Sequence, residues 1–161
     1  MNEYILELGK KAKEASKKLA IIDTNTKNAV LTAVAKALIE KRELIKAENK
    51  KDLEYGKEKG ISSALLDRLE LTDSRIDGMA KSLIEIANFK DPVGEILEGW
   101  KHPDGMQILK QRVPLGVIGM IFESRPNVTI DSAGLALKSS NAIILRGGSD
   151  AINSNKLLKN I

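Results

Sequence analysis

The chain contains no cysteine and a single histidine, His102. The first absence excludes disulfides, thiolate zinc sites and a cysteine nucleophile, and the second excludes a histidine-rich metal cluster. Aromatic residues are scarce as well: one Trp, two Tyr and two Phe in 161 residues leave little to stack nucleic-acid bases. No apolar run approaches the ~20 residues of a membrane-spanning helix. The opening Met1-Asn2-Glu3-Tyr4 lacks the basic and apolar regions of a signal peptide. A cytoplasmic chain with no membrane partner is therefore expected. Also missing are the Gly-x-Gly-x-x-Gly fingerprint, the P-loop, His-Glu-x-x-His and Gly-x-Ser-x-Gly.

The net charge is +4, with 14 basic and 10 acidic residues up to Gly60 and 12 of each after it, so the whole excess lies in the N-terminal part. The signs there are mixed, as in Lys41-Arg42-Glu43 and Lys57-Glu58-Lys59. Mixed signs mark a solvated helix face rather than a nucleic-acid patch, so nucleic acid is not an expected partner. A single domain of this size buries roughly two thirds of its unfolded surface.

Residues 1–90 read as helical, because apolar positions recur every three or four residues between polar ones. Ile5, Leu8, Ala12, Ala15 and Leu19 form one stripe. Val30, Val34, Ala37, Leu38 and Ile45 form a second, behind Asp23 or Thr24 as N-cap. Ser62 or Ser63 is placed to cap a short helix carrying Leu65, Leu66 and Leu69. Thr72 is placed to cap another, with Ile76, Met79, Ala80, Leu83 and Ala87 inward. These stripes are read as core.

Asp91-Pro92 ends that region, since proline disfavours helix in the residue before it. Residues 91–113 then read as a β-hairpin, with arms Glu95 to Lys101 and Met106 to Val113 around the turn His102-Pro103-Asp104-Gly105. His102 is read as a solvated turn residue. From 114 to 161 the pattern is strand, helix, strand: Val117 to Phe122, Val128 to Ser139 and Ala142 to Leu145. Parallel strands need a long connection, which the helix supplies.

Ligands of open α/β sheets bind where strands end and helices begin, so two loops are candidate sites. In the first, Glu123 to Thr129, the amides near Val128 and Thr129 are expected to face an anion, and Arg125 offers a planar cationic fork. The alternative is that Asn127 caps the helix while Arg125 pairs with Asp131 or another acid. In the second loop, Arg146 to Asp150, the glycines permit close backbone approach and the helix start favours negative charge. The alternative there is an ordinary turn capped by Ser149 or Asp150.

Pro114-Leu115-Gly116-Val117-Ile118-Gly119, Glu123-Ser124-Arg125-Pro126-Asn127-Val128-Thr129 and Asn141-Ala142-Ile143-Ile144-Leu145-Arg146-Gly147-Gly148-Ser149 together resemble the glutamate-5-semialdehyde dehydrogenase (γ-glutamyl phosphate reductase) family, a branch of the aldehyde dehydrogenase superfamily. The resemblance implies an α/β fold: N-terminal helices, a β-hairpin of the oligomerisation type, and the incomplete first βαβ of a Rossmann-like NADP-binding sheet. It implies homo-oligomers, with Trp100 and Ile108 as interface candidates against burial within the monomer as the alternative.

The activity implied is NADPH-dependent reduction of L-glutamyl 5-phosphate to L-glutamate 5-semialdehyde and phosphate, a step of proline biosynthesis that uses a cysteine thiolate. By the same resemblance Asn127 is the oxyanion donor and Ser124 and Arg125 contact substrate. Arg146, Gly147, Gly148 and Ser149 bind the cofactor, an arginine at 146 suiting the extra phosphate of NADP. The wider superfamily has Pro-Trp-Asn where this chain has Arg-Pro-Asn.

The resemblance covers the first part of the family's usual length and no cysteine lies within it, so a fragment inactive alone is expected. A two-strand parallel remnant should expose apolar edges. A noncatalytic binding or assembly module derived from the same family is the competing expectation.

Overall fold

The computed structural model describes residues 3–161. Five helices come first: α1 (Glu3–Leu19), α2 (Thr24–Glu40), α3 (Arg42–Glu58), α4 (Ser63–Leu69) and α5 (Asp73–Asn88). Strands β1 (Ile96–Lys101) and β2 (Gln107–Gln111) follow, then β3 (Val117–Ile121), α6 (Asn127–Lys138), β4 (Ala142–Arg146) and α7 (Ile152–Lys159), the last preceded by a short 3-10 turn at Ser149–Ala151.

Polar side chains start the helices where the sequence suggests. The Asp23 carboxylate accepts from the Thr26 N–H at 2.9 Å and Thr72 Oγ1 accepts from the Arg75 N–H at 3.3 Å, each satisfying an amide the helix cannot reach. Ser62 stands at the cap of α4 without a side-chain bond.

Along α5 all five residues of the expected stripe are buried and form the centre of the core with Leu31, Leu38 and Ile45. Each such Leu or Ile contributes about 1.5–3 kcal/mol by leaving water. Ile130 of α6 and Leu158 of α7 join the same cluster. The hydrophobic core therefore runs from the helical segment into the βαβ segment. The hairpin contributes nothing to it.

Three expectations need correction. The second stripe spans two helices, because the chain turns at Lys41, which closes α2 and opens α3. Within α2 the inward face is Lys27, Leu31, Ala35 and Leu38, while Val30 is 43% exposed. The apolar spacing misleads because a lysine occupies one inward position. In α4 only Leu69 is buried, and Leu65 faces outward. On α1, Ala12 is buried and Leu8 and Leu19 are half-buried against the βαβ segment, whereas Ile5 is exposed.

Buried polar groups fasten the helices to the crossover. Lys27 is 2% exposed, and its ammonium lies 2.7 Å from Asp91 Oδ2, which also accepts from Thr24 Oγ1 at 2.7 Å. Lys138, at the end of α6, donates to Asn28 Oδ1 at 2.7 Å and to the Ala87 carbonyl at 2.8 Å. Burial pulls the Lys138 ammonium below its usual range, nearby Lys27 adding to that and Asp91 opposing it. Burial pushes the Asp91 carboxyl up, but hydrogen bonds from Lys27, Thr24 and the Val93 amide outweigh it and hold the group below its ordinary value.

The hairpin is antiparallel, pairing Trp100 with Ile108, with a bulge that leaves Leu97 out of register. Gly105 takes a φ of +87° in its turn, which a side chain would strain. Trp100 is 50% exposed, so the monomer does not bury it. His102 sits in the exposed turn with Nδ1 2.9 Å from Asp104 Oδ2.

Strands β3 and β4 pair in parallel, Val117 opposite Ala142 through Ile121 opposite Arg146, and no further strand joins them among the described residues. Side chains alternate along β3: Ile118 and Met120 are half-buried, Val117 and Ile121 exposed. Within the sheet Ile121 is 84% exposed, apolar surface of the kind expected of a two-strand remnant, and Val113 and Leu115 in the segment leading into β3 are exposed as well. No helix among the described residues is long and apolar enough to cross a membrane.

Candidate functional site

The site is built from the two connections at the C-terminal ends of the parallel strands. Asn141 sets their starting register: its Oδ1 accepts from the Gly116 N–H at 2.8 Å while its own N–H donates to the Ala136 carbonyl at 2.8 Å, closing α6. At the other end, the Phe122 N–H donates to the Arg146 carbonyl at 3.0 Å, so the loops leave the sheet side by side. A Cβ on Gly148 would lie 3.7 Å from Glu123 Cα and from the Ser124 amide nitrogen. Thr129 Oγ1, bonded to Asn155 Oδ1 at 2.9 Å, ties the first turn of α6 to α7.

The first loop does not keep its helix-start amides free. The Val128 N–H donates to the Arg125 carbonyl at 3.0 Å and the Thr129 N–H to the Pro126 carbonyl at 3.1 Å, so the tight turn itself consumes the donors expected to face an anion. Pro126 rather than Asn127 holds the cap position. The Asn127 side chain instead donates from Nδ2 to Asp131 Oδ2 at 3.0 Å. A carboxylate only accepts, so this contact fixes which end of the amide faces Asp131 and leaves the second Nδ2 hydrogen for another acceptor. The Arg125 guanidinium has no ion-pair partner among the described residues. The pairing of Arg125 with Asp131 considered from sequence does not form.

Arg125, Asn127 and Asp131 share a cleft of 440 Å³ with Arg75 and Ser82 of α5 and with Asp67, Arg68 and Glu70 from the α4 end. Arg75 is committed: it reaches the Asp67 carboxylate at 3.1 Å and the Glu70 carbonyl at 2.9 Å.

The second loop borders a separate cavity of 570 Å³, lined by Arg146 through Ser149, Tyr55, Ile152 and Asn153. The Arg146 side chain is exposed, folds back onto the Gly147 carbonyl and has no carboxylate partner among the described residues. Gly147 is required by packing, since a Cβ there would come within 2.5 Å of Asn155 Nδ2 and 3.2 Å of the Phe122 ring.

Neither Ser149 nor Asp150 caps the following helix. Gly148 precedes the 3-10 turn, and the α7 amides of Asn153 and Ser154 donate to the Asp52 carboxylate of α3 at 3.1 and 2.8 Å. The negative charge expected at this helix start is thus supplied by the chain itself. Sequence reasoning missed Asp52, and also Tyr55, because both lie in an α3 stretch whose mixed charges read as solvated. The Lys59 ammonium stands 4.4 Å from the Tyr55 ring centroid. No group of three or more His, Asp or Glu side chains capable of holding a metal occurs among the described residues.

No family model matches the chain. Curated relatives do: it is 55% identical over 161 residues to the gamma-glutamyl phosphate reductase of Halothermothrix orenii and 57% identical over 157 residues to that of Francisella philomiragia. The matches cover 100% and 98% of this chain, which spans 38% of the length of each relative.

Solved structures agree. The gamma-glutamyl phosphate reductase of Thermotoga maritima superposes with a TM-score of 0.94 at 47% identity, over 96% of this chain and 37% of that one. The Saccharomyces cerevisiae enzyme gives 0.92 at 32% identity, over 96% and 39%. A probable aldehyde dehydrogenase from Listeria monocytogenes, at 18% identity and a TM-score of 0.69, shares the fold over 99% of this chain and 32% of its own.

Proposed function

The chain matches the N-terminal portion of the gamma-glutamyl phosphate reductase family along its whole length, and from that premise we propose that it carries the oxyanion-side and cofactor-side loops of an acyl-phosphate reductase site. The reaction is NADPH-dependent reduction of L-glutamyl 5-phosphate to L-glutamate 5-semialdehyde and phosphate, in proline biosynthesis. The observation that carries this reading is the adjacency of the two loops, with Gly148 standing over Glu123 and Ser124 where the parallel strands end.

The second loop fits a dinucleotide phosphate. Arg146 is exposed and free of carboxylates, Gly148 keeps the backbone approachable, and the 570 Å³ cavity beside them is walled by Tyr55. Arg146 would hold the phosphate through paired N–H bonds, with Gly147, Gly148 and Ser149 shaping the approach. The bound nicotinamide cofactor supplies hydride.

On the other loop, Asn127 donates its second Nδ2 hydrogen to the oxygen of the acyl group as negative charge develops there. A preorganised donor of this kind is worth about 3–4 kcal/mol in the transition state. Asp131 acts through Asn127 by holding the amide with its nitrogen toward the cleft. Ser124 and Arg125 line the approach for the anionic substrate.

No cysteine occurs among the 161 residues, so the thiolate must come from outside them, and this polypeptide alone is not expected to turn over. A cytoplasmic homo-oligomer, joined through the hairpin around Trp100 and Ile108, completes the proposal.

Titrating the chain with NADPH and following nicotinamide fluorescence tests it. Saturable binding is expected, weakened about tenfold or more by Arg146→Ala, as loss of charge-assisted hydrogen bonds requires. Absent binding accompanied by stable self-association would support a noncatalytic assembly module instead.

A further inference from the structure

The cleft beside Asn127 contains a carboxylate with half of its bonding capacity unused. Asp131 Oδ2 accepts from Asn127, but Oδ1 is buried and has no hydrogen-bond partner, and no cation stands within ion-pair distance of the group among the described residues. A buried carboxylate oxygen without a donor is costly, and the hydroxyl of the adjacent Ser132 is already engaged, donating to the Val128 carbonyl. Across the same cleft Arg125 has the opposite vacancy, a guanidinium without an anion. The remaining strong cation–anion contact there, Arg75 with Asp67, is already closed.

A free carboxylate and a free guanidinium bordering one cleft of 440 Å³ are complementary to a zwitterion. We infer that this cleft binds the α-amino acid end of the substrate, Asp131 receiving the α-ammonium and Arg125 the α-carboxylate. The inference rests on the reading that Asn127 faces the reacting carbonyl. Asn127 Nδ2 and Asp131 Oδ2 lie 3.0 Å apart, so one glutamyl group, about 5 Å from acyl carbon to α-nitrogen, can meet both side chains together. Asp131 is thereby a specificity determinant for an amino-acid substrate over a plain acyl group, while also positioning Asn127.

The test uses the 161-residue chain without nucleotide and two probes, L-glutamine and glutaramate, which differ by the α-ammonium alone. Saturation-transfer NMR should show L-glutamine binding at least about tenfold more tightly than glutaramate. Asp131→Asn should erase that preference, and Arg125→Ala should weaken both probes. Asp131→Asn is nearly isosteric and Arg125 is exposed, so thermal melts that match the parent chain keep the comparison valid. Equal affinity for the two probes, no binding of either, or a preference that survives Asp131→Asn would each overturn the inference. NADPH binding at Arg146 is measured separately. Failure there with glutamine binding intact overturns the cofactor reading alone, and the converse overturns only the zwitterion cleft.

Discussion

Asp52 and Ser154 are joined twice across the α3–α7 contact: Asp52 Oδ2 accepts from the Ser154 backbone N–H at 2.8 Å and from its Oγ at 2.7 Å. The other carboxylate oxygen accepts from the Asn153 N–H at 3.1 Å and from its Nδ2 at 2.8 Å. Ser154 Oγ also receives Asn49 Nδ2 at 3.1 Å, and Asn49 Oδ1 takes the Leu71 N–H at 2.8 Å. One buried network therefore fixes α7, and with it the exit of the second candidate loop, to the helical layer.

Removing that carboxylate should unfold the docking of α7. Asp52→Ala is expected to cost about 2–4 kcal/mol, because it strands buried donors that had a charged acceptor. Asp52→Asn should cost nearly as much, since an amide NH₂ would face N–H groups. Urea denaturation followed by circular dichroism measures both, and a midpoint unchanged in either variant would refute the role given to Asp52.

Arg125→Ala should behave in the opposite way. The side chain is exposed and without an ion pair among the described residues, so its loss should move stability by no more than about 0.5 kcal/mol. A large drop in melting temperature would show that Arg125 holds structure rather than ligand.

The Lys27–Asp91 pair predicts an acid limb. The Asp91 carboxyl is held below its ordinary value when folded, so the stability it contributes is present above the unfolded pKa of about 3.9 and is lost as pH falls through the lower folded value. The depressed Lys138 ammonium acts at the other extreme: the unfolded state binds more protons between the folded value and about 10.4, so stability rises with pH across that interval. Denaturant midpoints measured across pH should show both slopes. Asp91→Asn should flatten the acid one and, by removing a charge that supports the Lys138 ammonium, extend the alkaline one to lower pH.

Gly134 tests how closely α5 and α6 pack. A Cβ there would lie 2.7 Å from Leu83 Cδ2 and 3.3 Å from Ile86 Cδ1. Alanine normally gains about 1 kcal/mol over glycine inside a helix, but overpacking costs about 1–3 kcal/mol. The Leu83 terminus can swing aside, so Gly134→Ala should be destabilising by roughly 1 kcal/mol and Gly134→Val by considerably more, read from thermal melts.

These contacts mark the boundary of what the sequence makes legible. The βαβ segment is readable nearly to the residue, because Val117, Ala142 and the helix between them carry apolar runs bounded by glycine and asparagine, signals that local geometry must obey. The α5 stripe is equally plain. Lys27, Asn49 and Asp52 are not: each is a polar residue on a helix whose face looks solvated until a partner from a distant element covers it. The loops show the same division. Their position follows from strand ends, whereas the capture of the α6 and α7 amides by Arg125, Pro126 and Asp52 depends on tertiary placement that spacing does not encode.

Whether Glu123–Thr129 and Arg146–Asp150 act as one site is decided by amide NMR of the isotope-labelled chain titrated with NADPH. Saturable shifts centred on Arg146 to Asp150 are expected, spreading to Glu123 and Ser124 across the Gly148 contact and reduced in Arg146→Ala. Shifts confined to the hairpin or to the exposed face of β3, or no shifts at saturating nucleotide, would contradict it.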